Sequence, residues 1–200
     1  MSTMKVIFLD IDGVMNSQVF YHERYKRRWL KLDTYKWWLK SKARYIRNGF
    51  KHKPVSLANH VIPPERFEFP HTFGRLKSET DKLKWRWLSE FCNEHDYKIC
   101  VSSVWKNNFK NDGEWNKALV NLGFNDDIFV GITGNRKSIR GEEIKEWIDN
   151  NNVEAYAIID DDSDMLDEQL VSFFHVDGYY GLTPNTLYKI NRHFLKKTKK

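Results

Sequence analysis

The sequence predicts an α/β protein: a Rossmann-like, doubly wound parallel sheet with a helical, basic insertion after the first strand. Three observations lead there. Short apolar runs with the length of buried strands alternate with longer stretches of helical periodicity. Several of these runs end in acidic or hydroxyl residues, as expected where strand ends line a ligand crevice. Positive charge is concentrated in one block that follows the first run.

The first strand lies in KVIFLDIDGVMN, Lys5 to Asn16, where the apolar run Val6 to Leu9 ends at Asp10, with Asp12 and Gly13 after it. From Gln18 to Asn48 the chain reads as mainly helical, in two or three amphipathic pieces that turn Trp29, Leu30, Trp37, Trp38 and Leu39 inward. His52 to Pro70 contains four prolines and reads as an irregular connection. Ser78 to His95 opens with a Ser-x-x-Asp cap pattern and carries Leu83, Trp87, Leu88 and Phe91 at helical spacing. It feeds a strand at Lys98 to Val101, followed by Ser102, Ser103, Val104 and Trp105. A helix at Gly113 to Leu122, a strand at Ile128 to Ile132 and a helix at Arg140 to Asn150 come next. The strand Tyr156 to Ile159 runs into Asp160, Asp161 and Asp162, and Phe173 to Val176 forms the last strand, before Asp177 and Gly178. Such alternation implies right-handed crossovers. The expected division is a core of residues 1–16 and 76–200 with an insertion of residues 17–75.

Two hundred residues suffice for one core with an insertion, and 40% hydrophobic with 30% charged residues describes a soluble globular chain. No apolar stretch approaches the roughly 20 residues that span a bilayer. The opening MSTMKVIFLD has no basic region and long apolar run, so no secretory signal is predicted and a cytoplasmic location is expected. Cys92 and Cys100 lack metal-ligand spacing and read as reduced, buried thiols. The seven histidines show no ligand motif. Of the net +6, Tyr21 to Lys53 carries +10, from twelve Lys or Arg against Glu23 and Asp33, with aromatic residues interleaved.

Two neighbouring carboxylates, Asp10 and Asp12, repel, and both stay ionised only beside positive charge. A divalent cation such as Mg²⁺, which takes carboxylate, carbonyl and phosphate oxygens together, meets that need. In a parallel sheet the ends of the three strands bring Asp10 and Asp12, Ser102, and Asp160 with Asp161 and Asp164 to one edge. A cation before the helix, Arg140 or Lys137, completes the set. Metal ligands, a nucleophile, a hydroxyl donor and a positive charge are what phosphoryl transfer requires, since its catalysis is mainly positioning and charge neutralisation. The bland alternatives are an Asp/Gly turn at Asp10 to Gly13 and a solvated acidic turn at Asp160 to Asp164.

With FLDIDGV, ICVSS, the cation near RGEEIKEW and AIIDDDSD in place, the chain resembles the haloacid dehalogenase (HAD) superfamily of phosphatases. SS-x-W, IIDDDSDM and the late GLT, Gly181 to Thr183, make it more similar to the HAD domain of Swiss-army-knife RNA repair proteins. The resemblance covers roughly residues 4–16 and 78–185. It implies that Asp10 attacks phosphorus to form an aspartyl phosphate and that Asp12 acts as general acid and base. It implies that Asp10, the Asp12 backbone carbonyl and Asp160 hold Mg²⁺, with Asp161 and Asp164 completing the outer shell. Ser102 would donate to a phosphoryl oxygen and Arg140 would offset its charge.

The similar domains read Ser-Ser-x-Trp-Arg where this chain has Lys106, which cannot grip phosphate in a bidentate fork. Choosing Arg140 over Lys137 rests on the closer subfamily match. Trp105, Trp115 and Trp147 read as core or cap-packing residues. In this superfamily an insertion between the first two motifs forms a cap, which excludes water and selects substrates. Its cations, among them Arg27, Arg28, Lys31 and Lys36, would attract polyanions and its aromatics would stack on bases. Helical spacing alone also explains most of that pattern, with the aromatics as the cap's own core. Ser103, Lys106, Lys137, Arg27, Arg28 and Lys31 are the candidate substrate contacts. The function favoured is a Mg²⁺-dependent phosphatase of a nucleotide or of a DNA or RNA end, with no membrane association and no obligate protein partner. The alternatives are a hydrolase of a modified or cyclic nucleotide signal, a small-metabolite phosphatase, and a non-catalytic nucleic-acid-binding protein on the same scaffold.

Overall fold

The structure, a computed structural model, describes residues 3–29, 72–109, 111–134 and 139–197. The elements are β1 (Met4–Leu9), α1 (Gln18–Trp29), α2 (Thr72–Glu79), α3 (Lys82–His95), β2 (Lys98–Val101), α4 (Asp112–Val120), β3 (Phe129–Ile132), α5 (Arg140–Asp149), β4 (Val153–Asp160), β5 (Phe173–His175) and α6 (Pro184–Lys197). Short 3-10 turns at Val104–Asn108 and Asp167–Ser172 lead away from β2 and into β5. The chain divides into two compact units, residues 1–18 with 70–200, and residues 19–69.

All five strands are parallel, in the order β3-β2-β1-β4-β5. The chain winds outward from β1 through β2 to β3, then returns to add β4 on the other side of β1. That reversal is the switch point at which open α/β sheets bind ligands. Both faces of the sheet are buried, which is why its strands are nearly continuous apolar runs. Ile7 and Leu9 of β1 join the larger core with Trp85, Leu88, Trp115, Ile190 and Phe194. Val6 and Phe8 face the other way, against Cys100, Ile144 and Ile158. Phe8 meets Trp147 of α5 edge to face at 5.4 Å, a geometry that suits the ring quadrupoles.

Several elements differ from the sequence expectation. The helix expected over Ser78 to His95 is two helices, broken at Thr80 and Asp81. Asp81 is itself the N-cap of α3, its carboxylate accepting from Leu83 N at 2.9 Å, so Ser78 does not cap it. Asn111 caps α4 in the same way, through Glu114 N at 3.0 Å. β4 begins at Val153, earlier than the apolar run suggests, and β5 stops at His175. The helix α6 is an addition. Pro184 is its first residue, Thr183 Oγ1 accepts from Thr186 N at 3.3 Å, and Leu187, Ile190 and Phe194 bury one stripe. The helical reading of Gln18 to Asn48 is met by α1 as far as Trp29, and the remainder lies outside the described residues. No described helix is long and apolar enough to cross a membrane.

Candidate active site

Register places the site. Leu9 pairs with Val101 on one side and with Ile159 on the other, so the next residues of the three strands, Asp10, Ser102 and Asp160, emerge side by side. Ladder bonds continue one step past Leu9: Asp10 N donates to Ile159 O at 3.0 Å and Ser102 N to Leu9 O at 3.0 Å. The strands therefore position these groups by backbone pairing alone.

After Asp10 the chain turns tightly, with Val14 N donating to Asp12 O at 2.7 Å and Met15 N to Ile11 O at 2.8 Å. Gly13 sits at φ +64°, and a Cβ there would collide with the Asp161 carboxylate. Gly178 approaches the same carboxylate from the loop after β5, where a Cβ would stand 2.6 Å from Asp161 Oδ2. Asp161 thus lies in a cradle that only small residues permit.

Asp10, Asp160 and Asp161 each offer a carboxylate oxygen within 4.8 Å of the others. Asp160 Oδ1 accepts from Asp162 N at 2.9 Å, and its buried Oδ2 faces the Arg140 guanidinium as an ion pair. Arg140, the first residue of α5, places Nη1 2.5 Å from Asp10 Oδ1 and 2.9 Å from Asp160 Oδ2. Burial pushes the Asp10 and Asp160 carboxyls above the usual carboxylate range, and Arg140 opposes that rise. Burial also raises Asp161, with Asp162 adding to it. Burial acts against the Arg140 charge, but Asp10 and Asp160 outweigh it and hold the guanidinium above its ordinary value.

The hydroxyl side of the site comes from the turn after β2. Ser102 is buried, and its Oγ has no hydrogen-bond partner among the described residues. A buried hydroxyl without a partner is uncommon in a native protein and points to a missing acceptor. Ser103 favours the ionised form of the Asp10 carboxylate, and its Oγ accepts from Trp105 N at 3.4 Å, capping the 3-10 turn. Asp12 is exposed, and its Oδ1 accepts from Asn16 Nδ2 at 2.7 Å and Trp105 Nε1 at 2.9 Å.

Of the expected metal set, Asp10, Asp160 and Asp161 come together as side chains. The Asp12 carboxylate is outside that cluster, and its backbone carbonyl accepts the Val14 N–H. Asp164 does something other than approach the metal position. Its Oδ2 accepts from Arg140 N at 3.1 Å and its carbonyl from Gly141 N at 3.1 Å, capping α5, whose own N-cap residue Ile139 supplies no side-chain bond. Lys106 is buried, and its ammonium donates to Thr133 Oγ1 at 3.0 Å, to Gly134 O and to Glu143 Oε2 at 2.7 Å. All three of its protons are taken up by the protein, which ties the turn after β2 to α5. Arg27 and Arg28 fall in α1 with only their backbone described, and Lys31, Lys36 and Lys137 lie outside the described residues.

Sequence reasoning missed Asn16, Lys84 and Glu143. Lys84 is buried in α3 and donates to Val14 O at 3.2 Å, Ser17 Oγ at 2.7 Å and Tyr180 O at 2.7 Å. It pins the turn after β1 to the loop before α6. Burial pushes its ammonium down to about 8, with Asp81 opposing. A lysine inside an otherwise amphipathic helix gives no local sign of this, because all its acceptors are distant in sequence.

A five-stranded parallel sheet with acids past β1 and β4, a hydroxyl past β2 and an arginine at the head of α5 defines a protein of the haloacid dehalogenase class. The profile of the family described as the HAD domain in Swiss Army Knife RNA repair proteins matches residues 6–187. The chain belongs to that family, whose HAD membership makes it a phosphatase-type hydrolase. Comparison with curated proteins and with solved structures gave no match.

Proposed function

We propose that this protein is a Mg²⁺-dependent phosphatase that hydrolyses the phosphomonoester of a nucleotide or nucleic-acid end through an aspartyl phosphate on Asp10. The observation that carries this reading is the convergence of Asp10, Asp160, Asp161 and Arg140 beside the unpartnered hydroxyl of Ser102. The donor set fits a hard divalent cation: Asp10, Asp160 and Asp161 each offer a carboxylate oxygen within 4.8 Å of the others, all hard oxygen donors of the kind Mg²⁺ takes. Asp10, Asp160 and Asp161 would hold Mg²⁺, with the Asp12 carbonyl. When bound, the ion supplies positive charge to the carboxylates and to the phosphoryl oxygens.

The chain's own groups divide the remaining work. Asp10 is the nucleophile, held in place by Arg140. Ser102 donates its idle hydroxyl to a phosphoryl oxygen, and Arg140 neutralises charge that builds on the transferring group. Asp12 protonates the leaving oxygen and then removes a proton from the attacking water. The core-and-insertion division assigns residues 17–75 to a cap, and the +10 charge of residues 21–53 favours a polyanionic substrate. The family's description as RNA repair proteins supports the same substrate class.

The test is phosphate release, with Mg²⁺ and with EDTA, from mononucleotides, 5′- and 3′-phosphorylated oligonucleotides, cyclic nucleotides and sugar phosphates. Metal-dependent release from nucleotide or end-phosphate substrates, abolished by Asp10→Asn with the fold intact, is the expected result. Release from none of them overturns the enzyme reading, and release from sugar phosphates alone overturns the substrate. Replacing Arg27, Arg28, Lys31 and Lys36 with Ala lowers oligonucleotide affinity and flattens its salt dependence.

A further inference from the structure

Asp12 is held by one oxygen. Asn16 Nδ2 and Trp105 Nε1 both donate to Oδ1, at 2.7 and 2.9 Å, and no hydrogen bond reaches Oδ2 among the described residues. Both donors are fixed. Trp105 is 5% exposed, in the 3-10 turn that Ser103 caps, and Asn16 is 3% exposed, directly after the turn closed by Met15 N on Ile11 O. An indole nitrogen is only ever a donor, and an amide facing an ionised carboxylate must present its NH₂. An oxygen facing two N–H groups has no room for a proton of its own along either direction. The carboxyl proton therefore belongs on Oδ2, the oxygen left open on an exposed side chain two residues after Asp10.

Resting on the phosphatase reading above, we infer that Trp105 and Asn16 are positioning residues. They lock Asp12 through Oδ1 so that Oδ2 carries out both proton transfers of the reaction. In the first step an Asp10 oxygen forms a bond to phosphorus and the bond from phosphorus to the ester oxygen breaks. The electron pair goes to that oxygen, which takes the proton from Asp12 Oδ2 and departs as an alcohol. In the second step Oδ2 accepts a proton from water, the water oxygen bonds to phosphorus, and the Asp10–phosphorus bond breaks. Phosphate leaves, Asp10 is a carboxylate again and Asp12 is protonated. Trp105 comes from the same turn as Ser102, so one rigid segment sets the phosphate donor and the acid together.

The leaving group separates positioning from general structural damage. A nucleoside alcohol is a poor leaving group and needs the proton, whereas a nitrophenol departs as its anion without one. The value of kcat/KM reports the steps through departure of the leaving group, so it isolates the first transfer. Trp105→Phe, which keeps an aromatic ring and removes the donor, is expected to lower kcat/KM for a nucleoside monophosphate by about 10–100-fold, a part of the roughly 10²–10⁴-fold that general acid–base assistance supplies in full. Its loss on p-nitrophenyl phosphate is expected to be at least about tenfold smaller. Asn16→Ala leaves the indole in place and is the second variant, expected to show the same contrast. Equal losses on both esters in both variants, or no loss on either, overturn the positioning role. Wild-type protein that releases phosphate neither from these esters nor from a 5′- or 3′-phosphorylated oligonucleotide overturns the phosphatase reading itself, a distinct result.

Discussion

Arg140 Nη1 stands 2.5 Å from Asp10 Oδ1, so the guanidinium already neutralises the carboxylate proposed to attack phosphorus before any substrate arrives. The same nitrogen is 2.9 Å from Asp160 Oδ2. Both carboxylates are buried, and removing the partner of a buried charge costs about 3–5 kcal/mol. Arg140→Met is expected to lose on the order of 3 kcal/mol in urea unfolding without metal. Adding Asp160→Asn to that variant should recover part of the loss, because one of the uncompensated carboxylates is then gone. An additive double mutant would show that Arg140 and Asp160 are not energetically linked.

Metal affinity follows from the same crowding. Among the described residues Arg140 pairs with Asp10 and Asp160, and Asp161 offers a third carboxylate oxygen within 4.8 Å of both, so the proposed cation would offset negative charge that these pairs leave. A ligand at a hundred times its Kd stabilises by about 2.7 kcal/mol, which thermal melting detects readily. Mg²⁺ is expected to raise the melting temperature of the wild type, and EDTA to reverse it. Asp160→Asn should abolish the rise while melting no lower than wild type in EDTA. A full Mg²⁺ response in that variant would remove Asp160 from the ligand set.

Ser102 offers a separation of stability from activity. Its hydroxyl is buried and makes no hydrogen bond among the described residues, so replacing it with Ala removes an unsatisfied group and breaks no bond. Ser102→Ala is expected to unfold at the same urea concentration as wild type or higher. Its kcat/KM should fall by about 100-fold, the usual effect of losing one donor to a developing oxyanion. A stable variant with full activity would place the phosphate elsewhere.

How much of this was legible depends on whether the determining contact is local. Val6 to Leu9, Lys98 to Val101 and Tyr156 to Ile159 are read easily, because strands buried on both faces are apolar throughout and the polar residue that ends each run is the next in sequence. Convergence of Asp10, Ser102 and Asp160 then follows from parallel pairing. The α2–α3 break was misread because Ser78-x-x-Asp81 matches a cap pattern while Asp81 is itself a cap, and a local pattern cannot choose between adjacent candidates. The helix α6 is legible in Pro184 after Thr183 and in Leu187, Ile190 and Phe194 at helical spacing, although it lies beyond the last chemistry-bearing motif, Gly181 to Thr183. Glu143 as the partner of Lys106 was not legible. Thirty-seven residues separate them, and the pairing exists only once β2 and α5 are assembled.

That Lys106–Glu143 pair is buried, at 2.7 Å, and Glu143 lies on α5 one turn beyond Arg140. Lys106→Met strands the carboxylate and is expected to cost about 3–5 kcal/mol. Lys106→Met with Glu143→Leu should be markedly more stable than the single variant, since no buried charge is left uncompensated. Urea unfolding of the four proteins in the cycle measures the coupling. A single variant within about 0.5 kcal/mol of wild type would mean that the ammonium contributes nothing to holding α5 against β2.

Lys84 makes a prediction about pH. Its ammonium serves Val14 O, Ser17 Oγ and Tyr180 O, so Lys84→Met orphans buried acceptors and is expected to destabilise the protein by about 1–2 kcal/mol at pH 7. Burial holds its pKa near 8 in the folded chain against 10.5 for an ordinary lysine. Between those two values the unfolded chain keeps the proton and the folded chain has released it. Unfolding therefore takes up a proton, and stability from this group rises with pH across that window. Below pH 8 both states are charged and the contribution is flat. Subtracting Lys84→Met from wild type cancels the tyrosines that titrate nearby, so the stability gap between the two proteins should widen by on the order of 2 kcal/mol from pH 8 to 10.5. A gap that narrows over that range would mean the lysine stays charged in the fold and that the turn after β1 is held by an ammonium at every pH.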